Sequence, residues 1–403
     1  MRFEPEVLAA DPDRRIEVVA WLEAALAAVD PEGLTRAALS QSPRGPVATI
    51  AIGKAASAMT RGAASAAEIV MGLCISDHAE DVPDGVTTLI GDHPIPGPAS
   101  FEAGNAAIDF VRSVPPDLPI LGLISGGGSA VCECPRPGVS TSLLTEVATR
   151  LVRSGATIEE INLARGHLSS TKRGGLAARS GRVIETLVIS DVAGADPSVV
   201  ASGPTSPTAP DPSAARAVLA RHGIEVTTAM WEAMTTNVEA PPSRITLLAD
   251  GFDAAQAVAV AASDPVEIRS EWLESEVVEC VDDLLSHAGP GVTVCVGEPV
   301  LEVDGPGKGG RNTHAALTIA PKLAGSTAIF VAFATDGVDG RSGSAGAIVD
   351  GATVKRGGDP RPALTRFDSA EYLARSGDLL RCRPTGTNVS DLWILWKPAR
   401  VAN

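Results

Sequence analysis

Residues 121–135 read LGLISGGGSAVCECP, an apolar run that breaks into three glycines between Ser125 and Ser129. Gly126, Gly127 and Gly128 carry no Cβ, so a ligand can approach main-chain N–H groups there. If a helix follows, its unpaired N–H groups favour an anion, and a phosphate is the expected guest. The Ser125 and Ser129 hydroxyls either bond phosphate oxygens or cap the ensuing helix. Two cations repeat the pattern: Lys54 in AIGKAASAM, where an apolar strand gives way to a helix, and Arg311 in GKGGRN, after Gly309 and Gly310. A cation at a helix start opposes the helix dipole unless an anion offsets it. The planar fork of Arg311 suits a carboxylate or a phosphate. Lys308 is either a further ligand or a solvated neighbour.

Three acids occupy comparable places. Asp191 follows VIETLVIS, while Asp336, next to Gly337, and Asp339 lie in ATDGVDG. Each is either a cap for the next turn or a Mg²⁺ ligand or proton acceptor. Asp196 in GADPS reads as a turn residue. His93 lies in a proline-rich loop, and His167 lies in a basic stretch with Arg165, Lys172 and Arg173 that would meet an anion or a partner. No HxxxH or HExxH spacing supports a metal site, and no GxSxG elbow supports a serine hydrolase. Gly305-Pro-Gly307-Lys-Gly-Gly310 fits the dinucleotide spacing, but no acid stands at a second strand end about 20 residues on. The Walker A spacing is also absent.

These residues need a scaffold. Strands are expected at 47–52, 71–76, 118–125, 183–190, 244–249, 292–297, 328–334 and 392–396. Their nearly continuous apolar character fits strands covered on both faces. Helical segments at 55–70, 99–113, 141–154, 212–222, 252–262 and 311–323 alternate with them, predicting an α/β fold with largely parallel sheets. Ligands of such sheets bind beyond the carboxyl ends of strands, where Lys54, the Gly loop, Asp191 and Asp336 all fall. Proline-rich stretches at 203–213 and 238–243 place a domain boundary near 240.

A chain of 403 residues exceeds one usual core. A formal charge of −16 argues against nucleic acid or an anionic membrane as a general partner. No run reaches the length of a membrane-spanning helix, and the start MRFEPEVLAADPDRR lacks a signal peptide's apolar region. The six scattered cysteines show no zinc spacing, and Cys132 and Cys134 read as a reduced pair. A cytoplasmic setting is expected.

In sequence order, AIGKAASAM, GDHPIPGPAS, LISGGGSA, INLARGHLSSTKRGGLA, LVISDVAGADPSVVASGPT, GKGGRN, ATDGVDGRSGSAGA and PTGTNVSDL resemble the glycerate 2-kinase family. The resemblance runs from about residue 47 to residue 396. It implies a Rossmann-like, largely parallel N-terminal domain (1–240) and a smaller α/β MOFRL-type C-terminal domain (241–403), with the active site in the cleft between them. The implied reaction is ATP- and Mg²⁺-dependent phosphorylation of the 2-hydroxyl of D-glycerate. Carried over by motif, Lys54, Arg311 and Asp191 are the catalytic residues. Read from the residues, Ser125, Gly126, Gly127, Gly128, Ser129, Gly309, Gly310, Asp336 and Gly337 are the expected cofactor-binding set, and Asp191 or Asp336 is the expected metal ligand, directly or through water, or the proton acceptor. The partners are a small hydroxy acid and a nucleotide, and a homodimer is left open. The chain departs from the family pattern at KRGGLA, where a basic residue is displaced, at Pro299 and at His314. It also departs at Ala334, which replaces the first glycine of GTDG. A kinase for a related hydroxy acid, a hydroxypyruvate or tartronate-semialdehyde reductase, and a non-catalytic sensor are the competing readings.

Overall fold

In the computed structural model, residues 3, 12–41, 45–192, 196–236 and 239–398 are described. The chain divides into two compact units, Pro31–Leu248 and a second made of the residues up to Asp30 together with those from Ala249 onward. The division falls after Leu248, close to the expected boundary near 240. The N-terminal helix Pro12–Ala28, assigned from sequence to the first domain, belongs to the second unit. There it packs on the helix Gly251–Ala261, and Trp21 lies 5.0 Å from Trp396, ring centre to ring centre.

The first unit carries β1 (Val47–Ile52), β2 (Ile69–Ser76), β3 (Val86–Ile90), β4 (Ile120–Ser125), β5 (Glu185–Ile189) and β6 (Arg244–Ala249). They form one sheet in the order β3-β2-β1-β4-β5-β6, with β1 to β5 paired parallel. Every residue of β1 and β4 is buried, which is why both read as unbroken apolar runs. The strand order reverses between β1 and β4, and in a doubly wound sheet the crevice at that reversal is the ligand position.

The second unit carries β7 (Val266–Ile268), β8 (Gly291–Gly297), β9 (Ile329–Ala334), β10 (Gly346–Asp350), β11 (Leu379–Leu380) and β12 (Asp391–Lys397). Their order is β11-β10-β9-β12-β8-β7. Only β7 and β8 pair parallel, and β12 runs antiparallel to both β8 and β9. The expectation of a parallel sheet is corrected here. Burial on both faces demands apolar residues whichever way a strand runs, so the sequence pattern carries no trace of direction. Among the described residues no helix is long and apolar enough to cross a membrane.

Candidate active site

At the sheet reversal in the first unit, the chain leaves β1 through Gly53, whose φ of +124° favours glycine. A Cβ there would lie 2.4 Å from the Ser125 carbonyl oxygen, so the ends of β1 and β4 touch backbone to backbone. Two hydrogen bonds lock the contact: the Lys54 N–H donates to the Gly126 carbonyl at 2.9 Å, and the Ala55 N–H donates to Ser125 Oγ at 3.0 Å. The Ser125 hydroxyl is therefore buried and committed to holding the start of the helix Ala56–Ala64.

Beyond this lock the loop gathers the expected residues. A Cβ on Gly126 would sit 1.8 Å from Asp191 Oδ2, and one on Gly127 would sit 3.0 Å from Lys54 Cγ. The Asp191 carboxylate and the Lys54 stem thus lie directly on the two glycines, which explains why no side chain is present there. Gly127 has φ +78° and starts the four-residue helix Gly128–Val131. A Cβ on Gly128 would meet the Ala201 Cβ at 2.6 Å. Ala201 and Ser202 hold φ of +54° and +60°, a left-handed backbone that costs non-glycine residues about 1–3 kcal/mol each. Ser129 Oγ and Ser202 Oγ lie 2.9 Å apart.

The carboxyl end of β2 adds two residues that sequence reasoning missed. Asp77 Oδ1 lies 2.6 Å from His78 Nδ1, and His78 Nε2 lies 3.1 Å from Glu80. The bond to Asp77, opposed by burial and helped by Glu80, pushes His78 up to about 9. It stands as an imidazolium rather than a base. Burial would raise the Asp77 carboxyl, but the His78 hydrogen bond and the charges of His78, Lys54 and His93 hold it below its ordinary range. The strand-end rule that found Lys54 and Asp191 would have found this pair too.

The basic stretch is not an exposed anion patch. Arg165, His167 and Lys172 are buried, and Arg173 donates to the Thr208 and Ala209 carbonyls. His167 Nδ1 donates to the Leu163 carbonyl at 2.8 Å, and its Nε2 accepts from the Asp211 N–H at 3.0 Å. Burial, together with nearby Arg173 and Arg136, pushes it down to about 4, so it is a neutral structural histidine. As pH falls below about 6.5 the unfolded chain takes up a proton that folded His167 refuses. Stability present above that pH is then lost down to about pH 4, by up to about 3 kcal/mol. Melting temperatures across this range should therefore fall less steeply in His167→Gln than in the parent. Equal slopes would remove His167 as the cause. Cys132 and Cys134 are free and buried, and burial pushes Cys132 up to about 12, as suits an inert thiol.

In the second unit Arg311 opens the helix Arg311–Leu323. Its fork is held inside the chain: Nε and Nη2 bond the two oxygens of Asp391 at 2.5 and 3.2 Å, and Nη1 bonds Glu298 at 2.6 Å. Burial opposes the charge, but Asp391 and Glu298 outweigh it and hold Arg311 firmly protonated. These acids take three of the five guanidinium N–H donors, and it is the helix start behind the side chain that is capped from within. Buried Asp339 accepts the N–H groups of Asn312 at 2.9 Å and Thr313 at 2.8 Å, and the Gly310 N–H bonds Thr313 Oγ1. Asp339 is a cap. A Cβ on Gly309 would meet Ser369 Oγ at 2.4 Å, so this glycine admits close packing within the chain. Asp336 is half-buried and accepts the Val338 N–H at 2.9 Å, while Gly337 takes φ +86° in the same turn. Lys308 is exposed, and its N–H bonds Asp368. His314 stacks on Phe367 at 5.4 Å.

The dinucleotide spacing at 305–310 has no strand directly before it, since β8 ends at Gly297, and the paired neighbours of β8 are β7 and β12. That is not the strand–turn–helix unit a nicotinamide fingerprint requires.

A family model described as a domain of unknown function (DUF4147) matches residues 17–235, and the MOFRL family model matches residues 291–391. The chain is 33% identical to the D-glycerate 2-kinase of Thermotoga maritima over 97% of this chain and 99% of the other. This chain belongs to the glycerate 2-kinase family. A crystal structure of glycerate kinase from Thermotoga maritima superposes with a TM-score of 0.85 at 30% identity, covering 96% of this chain and all of that one. A protein of Agrobacterium vitis carrying a provisional hydroxypyruvate reductase name is 34% identical over 92% of this chain and 91% of its own length. Within the glycerate 2-kinase family, the structure brings Lys54, Gly126, Gly127 and Asp191 together and places Arg311 on Asp391 in the other unit. Asp77, His78 and Glu133 are its additions to the residues read from sequence.

Proposed function

We propose that the chain transfers the γ-phosphoryl group of ATP to the 2-hydroxyl of D-glycerate, yielding 2-phosphoglycerate and ADP. The observation that carries this reading is the seating of the Asp191 carboxylate and the Lys54 stem on Gly126 and Gly127 at the sheet reversal. Phosphoryl transfer asks for aligned oxygens and compensated charge, with little covalent help. In this reading main-chain N–H groups of the loop and the Lys54 ammonium hold the phosphates. The substrate oxygen bonds to the γ-phosphorus as the bond to the bridging oxygen of ADP breaks, and the hydroxyl proton passes to a carboxylate. Asp191 fits that role or a metal's. Magnesium takes one or two carboxylates alongside phosphate oxygens. Asp191, over a glycine that leaves room for its carboxylate, fits as one such ligand. Asp336, whose Oδ1 holds the Val338 N–H, is the weaker candidate. A bound Mg²⁺ would neutralise charge on the β- and γ-phosphoryl oxygens.

Arg311 is proposed to meet the acid's carboxylate or the transferring phosphoryl group through its remaining N–H donors, with Asp391 fixing the plane of its fork. One ammonium cannot reproduce that fork. Arg311→Lys should lower kcat/KM at least about tenfold. An effect below about twofold would reduce Arg311 to a structural clamp on Asp391.

The direct test is ADP release with Mg·ATP across D-glycerate and a panel of related hydroxy acids, with NADH oxidation on hydroxypyruvate followed in parallel. D-glycerate-dependent ADP release without NADH turnover supports the kinase. NADH turnover without ADP release would replace it by the reductase.

A further inference from the structure

Directly after the Gly-rich loop lies an ion network that the proposed chemistry does not use. Glu133, wholly buried, faces Arg165 at 3.1 Å and Lys172 at 3.3 Å. Both cations are also buried, and both turn to the loop: Lys172 Nζ donates to the Ser129 carbonyl at 2.6 Å, and Arg165 Nη2 donates to the same oxygen at 2.9 Å. The Ser169 hydroxyl completes Glu133, and Arg165 Nε is buried without a partner. The charges do not balance. Two cations face one carboxylate, and among the described residues neither cation has a second acid within ion-pair distance. An uncompensated charge in a low-dielectric interior is costly unless an opposite charge lies near it.

We propose that this buried surplus positive charge, anchored on the Ser129 carbonyl, acts through the Gly126–Ser129 loop to attract and position the nucleotide's polyphosphate. Arg165 and Lys172 are then positioning residues: they touch the loop, and their charge reaches the phosphates through a dry interior where screening by salt is weak. Burial, the largest influence on Lys172, lowers its affinity for its proton, and Glu133 opposes that. Glu133 is accordingly the acid, among the described residues, that favours the charged form of both cations beneath one loop. The inference rests on the kinase reading only for the identity of the anion.

The sign of the charge separates this role from a mere structural brace. Lys172→Met leaves the network neutral, whereas Glu133→Gln/Lys172→Met restores one surplus positive charge after removing the same salt bridge. Binding of inorganic tripolyphosphate and of ADP to the full chain would be measured by calorimetry, with circular dichroism reporting the fold. The single variant should bind both about tenfold more weakly, and the double variant within about threefold of the parent. Weak binding by both variants, or parental binding by the single variant, overturns the proposal. Should the single variant fail to fold, the double variant decides alone: near-parental affinity upholds the proposal and weak binding refutes it. A parent chain that binds no tripolyphosphate refutes it outright. A chain that binds with the expected pattern yet phosphorylates no glycerate keeps the inference and loses the kinase reading.

Discussion

Lys54→Ala should lower kcat/KM for ATP-dependent glycerate phosphorylation at least about a hundredfold, or about 2.7 kcal/mol of transition-state stabilisation. Lys54 immediately precedes Ala55, the N-cap of the helix Ala56–Ala64, where a cation is opposed by the helix dipole, and its stem runs over Gly127. Its backbone N–H is locked to Gly126, so the side chain leaves from a fixed point. Removing the ammonium deletes charge at the place where phosphates are proposed to bind, while the lock through Gly53 and Ser125 stays intact. The alternative is a lysine that lays its stem on the loop and extends its head into water. In that case steady-state kinetics of the alanine variant would match the parent.

Gly126→Ala is expected to separate activity from stability. Gly126 is absent from the left-handed positions of the chain, so its backbone accepts an alanine. The added Cβ would occupy space 1.8 Å from Asp191 Oδ2 and must push that carboxylate aside. A shift of about 1 Å at a reacting group costs about a hundredfold in rate. The obstructed atoms are the far end of one side chain, so the melting temperature should change little. Kinetics and thermal unfolding of the same preparation check the pair. A fall in stability equal to the fall in activity would mean that the glycine serves packing alone, and unchanged kinetics would release Asp191 from its role.

Several elements were legible because their physics is local. The runs at β1 and β4 had to be strands covered on both faces, and the breaks after them had to be turns. The helical segments expected at 99–113, 141–154 and 311–323 followed from composition and alternation with the strands, and the helices lie at 98–113, 141–153 and 311–323. Lys54, the glycines and Asp191 were readable because each follows a strand end directly. What escaped depends on distant partners. Glu133 is a single acid between two cysteines, and its meaning lies in Arg165 and Lys172, which the helix Ile158–Leu168 and the turn after it bring back. Asp339 resembled a cleft acid because its ligands, the N–H groups of Asn312 and Thr313, precede it on another element. The strand Val86–Ile90 was missed because it is a partly exposed edge with two threonines. The fork of Arg311 was read as open because Asp391 arrives only at the end of the chain, on β12.

The loop, Lys54 and Asp191 are proposed to serve transfer of a phosphoryl group to a secondary hydroxyl. Phosphorus NMR of the product formed from Mg·ATP and D-glycerate tests it most directly. The expected products are ADP and a phosphate monoester whose phosphorus couples to a single methine proton, the signature of 2-phosphoglycerate. A monoester coupled to a methylene pair would move the reaction to the 3-hydroxyl, and inorganic phosphate alone, with glycerate unchanged, would rule out phosphoryl transfer to the acid.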